Sequence, residues 1–476
     1  MMKIELLILG IGFLARVSFG QVGSIDATIG FVNNYSNKKE ARDVKQLSNG
    51  HIITCGKNVS GGTSFIHEVD NIGNFVFGQT VGSPCFYALD TIDASSYVAV
   101  GKLTGQNNSL LINRSFPYAN QTVTFNASAQ NIEVFDIVTQ PDGKFVVCGL
   151  ESLDGVINKF FVGRINADLT VDNTFGNNGS VLLSFGNDAQ ARSLALQHDG
   201  KIVIVGHSIS NVNELIVRLN SDGSLDNTFF SVGYLEQQHN NLTTAAELYG
   251  VAVGSDNTIY TVGKRIKGSQ FTLFQWIKPN QVLSEIQQVS MENWYTITLQ
   301  SDSNKVIIGG QSSVNQQGEI YPLVYRYRLT SNDTYEPDLS FNGFNNNGVY
   351  TTGYTHVSSD VTFGSYLQRD GKILLSGMFN DKMFITRLNN DYIPSALGVA
   401  DNQLNNELTV YPNPSQGIFS LNTNAIIKNV TAFALGGEQI ATHYLNNEVT
   451  ISAPAGIYFL RVETEKSTQI VKIQIF

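Results

Sequence analysis

Hydrophobic and polar positions along this chain alternate in short runs of period two, broken by tight turns. The clearest run is 196–206, Leu-Gln-His-Asp-Gly-Lys-Ile-Val-Ile-Val-Gly. It reads as the end of one strand, an Asp-Gly turn, and a strand of β-branched residues stopped by glycine. The same phrase recurs between residues 22 and 392. Its strand-ending glycines are Gly56, Gly101, Gly149, Gly206, Gly263, Gly309 and Gly377, spaced by 45 to 68 residues.

Each unit has the parts for four strands. In the fourth, residues 191–197 precede the turn and 201–205 follow it. Residues 215–219 then run into a second turn at Asn220-Ser221-Asp222-Gly223, and an outer strand is expected near 225–229. No ten-residue stretch shows helical periodicity. A four-stranded unit cannot cover both of its faces alone, so a ring of units buries the apolar runs and protects most edges. The prediction is an all-β fold, a seven-bladed β-propeller over residues 21–392, with six and eight blades as the alternatives. A strand near 25–31 is a candidate to join the last blade and close the ring.

Residues 1–20 have the form of a secretory signal peptide: Lys3, a nine-residue apolar run over 6–14, and Ser18-Phe19-Gly20 ahead of Gln21. Glu5 departs from that pattern, and a buried N-terminal strand is the alternative. No run approaches the eighteen apolar residues of a membrane span.

Composition narrows the partners. A hydrophobic content of 42% with 15% charged residues suits an ordered protein with a neutral-polar surface, and 43 glycines suit many tight turns. Thirty basic against forty acidic residues give a net charge of −10 with no basic cluster, which excludes a phosphate-tracking surface and a nucleic-acid partner. Cys55, Cys85 and Cys148 are too few for a disulfide scaffold; Cys55 and Cys148 each precede a repeat glycine and read as buried thiols.

The residues that could carry chemistry recur once per unit. Asp142, Asp199 and Asp370 occupy matched turns, as do Asp168 and Asp222; Asp172, Asp226 and Asp338 recur before Thr or Ser and Phe. Repetition favours an architectural role, with each carboxylate accepting backbone N–H groups in a turn, over general acid–base work. Arg164, Arg218 and Arg387 recur likewise and read as packing residues in preference to an anion clamp. His67-Glu68 lacks the second histidine of a zinc motif, and His198 fills a turn position held by Pro141 and Arg369 elsewhere. Residues 220–226 look like half a calcium loop, but Ser231 stands where the bidentate Glu belongs, so no cofactor is expected and calcium is the alternative. Stretches 316–328 and 335–354 are rich in Tyr, Phe, Asn and Gln, a composition shared by sugar-binding surfaces and by ordinary loops with core aromatics.

The segment Arg218-Leu219-Asn220-Ser221-Asp222-Gly223-Ser224-Leu225-Asp226-Asn227-Thr228-Phe229 resembles the delta-60 repeat of bacterial surface proteins. Arg164 to Asp168 with Val171 to Gly176 repeats it, Arg387 to Asp391 matches its first half, and Asp338 to Phe341 its second. The resemblance implies a propeller-like domain and no single activity.

After a polar linker at 393–407, residues 408–476 change composition and predict a small Ig-like β-sandwich. Tyr411-Pro412-Asn413-Pro414-Ser415-Gln416-Gly417, Gly456-Ile457-Tyr458-Phe459-Leu460-Arg461-Val462 and the alternating end 470–476 resemble, in order, the type A C-terminal sorting domain of type IX secretion. The alternative is an Ig-like adhesion module. The resemblance implies a Gram-negative source, Sec export, passage through the type IX translocon and its sorting machinery, removal of the tail, and attachment to the surface or release. Its sorting positions fall on Pro412, Asn413, Pro414, Gly417, Gly456, Tyr458, Arg461, Val462 and Lys472. With no catalytic constellation in the chain, the expectation is a secreted or surface-attached binding or adhesion protein with a glycan or protein ligand. A polysaccharide hydrolase or lyase and a structural surface-layer component are the alternatives.

Overall fold

The structure is a computed structural model that describes residue 26, residues 31–32 and, with short interruptions, residues 39–389 and 408–475; the signal-like segment 1–20 and the linker 393–407 lie outside the described residues. The chain divides into two compact units, Met1–Ile393 and Pro394–Phe476. Every regular element among the described residues is a strand, and no helix there is long and apolar enough to cross a membrane.

The described strands of the first unit form seven antiparallel sheets; the first five are four-stranded meanders, and in the sixth Val349–Thr351 also pairs with Pro322–Leu329. Their inner strands are Lys39–Gln46, Pro84–Thr91, Asn131–Thr139, Ala189–Leu196, Thr243–Val253, Asn293–Gln300 and Val361–Leu367. Each inner strand packs beside the next, and the seventh packs beside the first, so the sheets close on themselves. The seventh sheet takes its outer strand from the other end of the chain: Phe31–Val32 pairs antiparallel with Thr386 and Ile385. The expected closing strand is therefore present, at the far edge of the segment predicted for it.

Apolar runs on neighbouring sheets meet face to face. Val146, Cys148, Phe160 and Val162 of the third sheet pack on Ala191, Ile202, Ile204 and Leu215 of the fourth. At the point of closure, Leu374, Met383 and Ile385 pack on Ala41, Val44 and Phe65. Such continuous burial explains why the second strand of each sheet reads as an unbroken apolar run instead of an alternating one.

Three expectations need correcting. The repeat glycines do not end their strands: Ile202–Ser208 runs on past Gly206, and Ile52–Asn58 past Gly56. In the sixth sheet the glycine at the equivalent register is Gly310, opposite Trp294, not Gly309, because that hairpin turn is one residue longer. The outer strand of the fourth sheet is Tyr234–Gln237, and 225–229 is a turn in which Leu225 makes only an isolated bridge to Leu219. The side chain of Asp226 folds that segment back onto Arg218, which takes it off the sheet edge.

The second unit holds two four-stranded sheets. One contains Leu408–Tyr411, Ile418–Thr423, Glu448–Ile451 and Thr442–Leu445; the other contains Gln439–Ile440, Ile427–Ala434, Gly456–Thr464 and Thr468–Ile475. Phe419, Leu421, Val449 and Ile451 of the first share one core with Ala432, Leu460, Val462 and Ile473 of the second.

Candidate functional site

Every inner strand of the first unit carries a β-bulge at the same place. In the first sheet Ala41 pairs with Gly56 and Asp43 with Cys55, leaving Arg42 unpaired between them. The bulged residues of the next six sheets are Tyr87, Phe135, Arg192, Tyr249, Tyr295 and Phe363. A bulge sets two residues against one and re-aims a side chain. It also explains the repeat glycine. The bulged strand bends its carbonyl over the partner, so a Cβ on Gly206 would lie 1.9 Å from Gln190 O and one on Gly263 2.0 Å from Glu247 O. Only a residue without Cβ fits there.

All seven bulged residues are half-buried, and all seven line one cavity of about 1000 Å³ that also touches every inner strand. They form two arcs. In one, Tyr87 meets Phe135 edge to face at 5.5 Å, and the Arg192 guanidinium lies 4.4 Å from the centre of the Phe135 ring. In the other, Tyr249, Tyr295 and Phe363 follow at 5.2 and 5.9 Å, and the Arg42 guanidinium lies 4.0 Å from the Phe363 ring. Arginine over an aromatic face is a favourable contact that also holds the fork in place.

Three aspartates of the cavity are engaged by backbone. Asp43 accepts the amides of Val44 at 2.8 Å and Leu89 at 3.0 Å. Asp90 accepts those of Thr91 at 2.8 Å and Thr139 at 2.6 Å, and Asp136 those of Ile137 at 2.8 Å and Leu194 at 2.9 Å. Each thus ties its own strand to the next sheet. Burial raises Asp90 above its ordinary range and pushes Asp136 up to about 6 against the pull of the Leu194 amide. Burial draws Lys45 down, and Asp43, Asp90 and Asp136 together outweigh it and hold it above the usual lysine range. Lys45 reaches Asp43 at 3.3 Å. Among the described residues no histidine lines this cavity.

The residues singled out by repetition lie elsewhere and are structural. Asp142, Asp199 and Asp370 accept the amides of Lys144, Lys201 and Lys372 in their turns, and Asp168 and Asp222 accept those of Thr170 and Ser224. Asp172, Asp226 and Asp338 do more than brace a turn. Arg164 donates to Asp172 at 2.7 Å, Arg218 to Asp226 at 2.7 Å, and Arg326 to Asp338 at 2.8 Å. Lys144, Lys201 and Lys305 join them, and each arginine lies over the following phenylalanine, Phe175, Phe229 or Phe341. The oxygens of 220–226 accept the chain's own donors, with Asp222 holding Ser224 at 2.9 Å and Asp226 holding Thr228 at 3.1 Å.

His198 is exposed at its turn, and His51 meets Glu68 at 2.6 Å. Cys55, Cys85 and Cys148 are free; burial raises the thiols of Cys55 and Cys148 well above their ordinary value. The aromatics Tyr325, Tyr327 and Tyr335 are buried with Trp276 and Trp294 in the core between the fifth and sixth sheets, so they offer no sugar-binding surface. Residues 316–319, 342–348 and 352–354 of those stretches lie outside the described residues.

Of the sorting positions, Pro412, Asn413 and Pro414 lie outside the described residues. Gly417 has φ +96°, and its carbonyl accepts the Ile451 amide at 2.8 Å. Gly456 and Lys472 sit in the ladder of the last two strands, opposite Ile475 and Phe459. Tyr458 is buried and its hydroxyl donates to Pro454 O at 2.8 Å; Val462 is in the core; Arg461 is exposed and pairs with Glu463 at 2.9 Å.

Residues 140–175 and 197–229 match the family described as domain of unknown function (DUF5122) beta-propeller, and residues 409–476 match the secretion system C-terminal sorting domain. The chain thus combines a propeller-like repeat with a type IX C-terminal sorting domain. No curated protein matches it. Among solved structures it is similar to PorZ, a bacterial surface component of the type IX secretion system of Porphyromonas gingivalis, at 14% identity and a TM-score of 0.43, over 92% of this chain and 59% of that one. The chain therefore spans under two thirds of that protein. It is also similar to a chain of a mitotic checkpoint complex (10% identity, 78% of this chain, 93% of that one, TM-score 0.47) and to an oligogalacturonate lyase in complex with manganese (13%, 74%, 98%, 0.40).

Proposed function

We propose that this chain is a non-catalytic binding or adhesion protein, secreted or held at the outer surface of a Gram-negative bacterium after type IX export, with a glycan or protein ligand. In this reading residues 1–20 are a signal peptide and 21–392 a seven-bladed β-propeller. Residues 393–407 are a linker, and 408–476 an Ig-like sorting sandwich read by the type IX translocon and sorting machinery. The sorting-domain match at 409–476 supports the export route. The observation that carries the binding reading is the cavity of about 1000 Å³ ringed by aromatic and arginine side chains from all seven inner strands. Ligand sites are concave, lined largely by apolar and aromatic groups, with a few placed polar ones.

A polymer hydrolase or lyase is the second reading, favoured by Asp43, Asp90 and Asp136 in the same cavity. Against it, each of the three accepts two backbone amides, an arrangement that fixes a strand better than it moves a proton. The test is binding of the purified mature chain to glycan and protein arrays, with and without calcium, beside an assay for newly formed chain ends in extracellular polysaccharides. Selective retention without cleavage supports a binding protein; new chain ends, lost in Asp136→Asn, would establish the enzyme.

A further inference from the structure

The charged groups of the cavity are not equally engaged. Lys45 pairs with Asp43, and Arg42 and Lys57 share Glu40. Glu133 takes Lys102 at 3.3 Å and the Tyr87 hydroxyl at 2.8 Å. Arg192 differs. Among the described residues no carboxylate lies within ion-pair distance of it, and its Nε is buried without a hydrogen-bond partner. Glu247, whose carboxyl feels the Arg192 charge, is taken by the Tyr249 hydroxyl and by Lys264 at 3.6 Å. The main contact that holds Arg192 is the face of Phe135.

A guanidinium is a rigid fork of donors that matches carboxylate, sulfate and phosphate groups, and an unengaged one in a partly desolvated cavity loses water contacts that an anion restores. The opposite arc of the same cavity, Tyr249, Tyr295 and Phe363, presents aromatic surface with one hydroxyl, that of Tyr295, without a partner among the described residues. Aromatic surface suits the C–H faces of a sugar ring, and the fork suits its acidic substituent. On the reading that this cavity binds a ligand, we infer that the ligand is an acidic saccharide, its carboxylate or sulfate on Arg192 and a ring against Tyr249 and Tyr295.

The experiment is calorimetric titration of the full mature chain with four probes: a glucuronate-containing tetrasaccharide, a sulfated tetrasaccharide, the carboxyl-reduced neutral tetrasaccharide, and inorganic sulfate. The acidic saccharides should bind, more weakly as salt is raised, and the neutral one should not. Arg192→Gln should weaken them about tenfold to a hundredfold, the scale of one charged hydrogen-bonded contact, and Arg192→Lys less so. Preference for carboxylate or for sulfate tells which substituent the fork reads. If Arg192→Gln fails to fold, protection of Arg192 from phenylglyoxal by the acidic tetrasaccharide in the natural chain, read by peptide mass spectrometry, supplies the same answer. Equal binding of neutral and acidic saccharides, unchanged in Arg192→Gln, overturns the acidic ligand and leaves the binding reading standing. Binding of sulfate alone as tightly as of the saccharides overturns the sugar component. No binding of any probe, with cleavage of polymer instead, overturns both.

Discussion

Arg387 and Asp26 stand 361 residues apart and form one buried ion pair, Arg387 Nε donating to Asp26 Oδ2 at 2.8 Å. The Asp26 amide also donates to the Arg387 carbonyl at 2.7 Å, as the amides of Asp172 and Asp226 do to Arg164 and Arg218 at 3.0 Å. Lys372 reaches the same carboxylate, as Lys144 reaches Asp172. The seventh sheet therefore owns the same arginine–aspartate–lysine cluster as the third, fourth and sixth, with the aspartate supplied from the N-terminal end. Arg387 Nη1 then bonds Asn71 O of the first sheet at 3.1 Å, so one side chain joins the last sheet, the N-terminal segment and the first sheet.

Asp26→Asn should consequently destabilise the first unit by about 3 kcal/mol, because it leaves the buried Arg387, with the half-buried Lys372 beside it, against a neutral group. Urea unfolding of the mature chain followed by tryptophan fluorescence reads this directly. Asp226→Asn should cost a similar amount, its partners having the same geometry. A change within about 0.5 kcal/mol for Asp26→Asn, the range of surface substitutions, would mean that the closure does not depend on the pair.

The bulge and its glycine give a contrast between two glycines six residues apart. Gly206→Ala sets a Cβ 1.9 Å from Gln190 O, a backbone atom that cannot rotate away, so the bulge must shift. The expected cost is about 3 kcal/mol. Gly200 has φ +83° and open space around its missing Cβ, so Gly200→Ala carries only the conformational strain, about 1 kcal/mol. Thermal unfolding of the two variants should rank them in that order, and Gly206→Ala should also weaken any ligand of Arg192, whose place the bulge fixes.

Much of this architecture is legible in the sequence because turns and glycines are punctuation with a physical cause. The Asp-Gly turns need positive φ, which Gly143, Gly200 and Gly371 adopt at 81 to 83°. The two-part motif of unit seven looks incomplete after Arg387 only because its second half, Ile25-Asp26-Ala27-Thr28, sits at the other end of the chain. The cavity ring is harder to see. A bulge adds one residue to an alternating strand without changing its composition, and the residues it presents vary between Arg, Tyr and Phe. The usable signal was spacing: in every unit except the sixth, the aromatic or arginine stands at a fixed distance ahead of the repeat glycine. An outer strand is expected near 225–229 because Leu225 and Phe229 look like strand residues, whereas Asp226 is committed to Arg218 and takes the segment off the sheet.

His207 and Asp226 report on the two stages of the response to acid, a first stage shared with the buried His67 and a second shared with Asp172 and Asp338. Burial, with Arg192 nearby, lowers His207 to about 4 from an ordinary 6.5. The unfolded chain therefore binds more protons in that interval, and the stability from neutral His207 is complete above pH 6.5 and lost as the pH falls toward 4. Burial pushes Asp226 up, but Thr228, Arg218 and Lys201 outweigh it and hold it at about 2 against an ordinary 3.8. Its contribution is complete above 3.8 and disappears as the pH falls toward 2. Asp136, raised to about 6, works in the opposite direction between 6 and 3.8. Urea midpoints across this range should show a shallower first stage in His207→Gln and a shallower second stage in Asp226→Asn. Parallel curves for either variant and the natural chain would remove that group from the account.

The sorting tail separates folding from recognition through Gly417 and Arg461. At Gly417 a Cβ would lie 2.5 Å from Ile451 O with φ at +96°, so Gly417→Val should disrupt the pairing of Ile418–Thr423 with Glu448–Ile451 inside one sheet of the tail. Arg461 is exposed, and its pair with Glu463 is a surface pair worth about 1 kcal/mol at most. Arg461→Ala should leave the tail folded. In a Gram-negative host with type IX secretion, deletion of 409–476 should hold the chain in the periplasm, and Gly417→Val should do the same by unfolding the tail. If the machinery reads Arg461 itself, Arg461→Ala should reduce export of a tail that still resists limited proteolysis. Cell fractionation with protease treatment of intact cells measures this. Normal export of Arg461→Ala would place recognition elsewhere in the tail, and normal export of the deletion would show that the tail is not the signal.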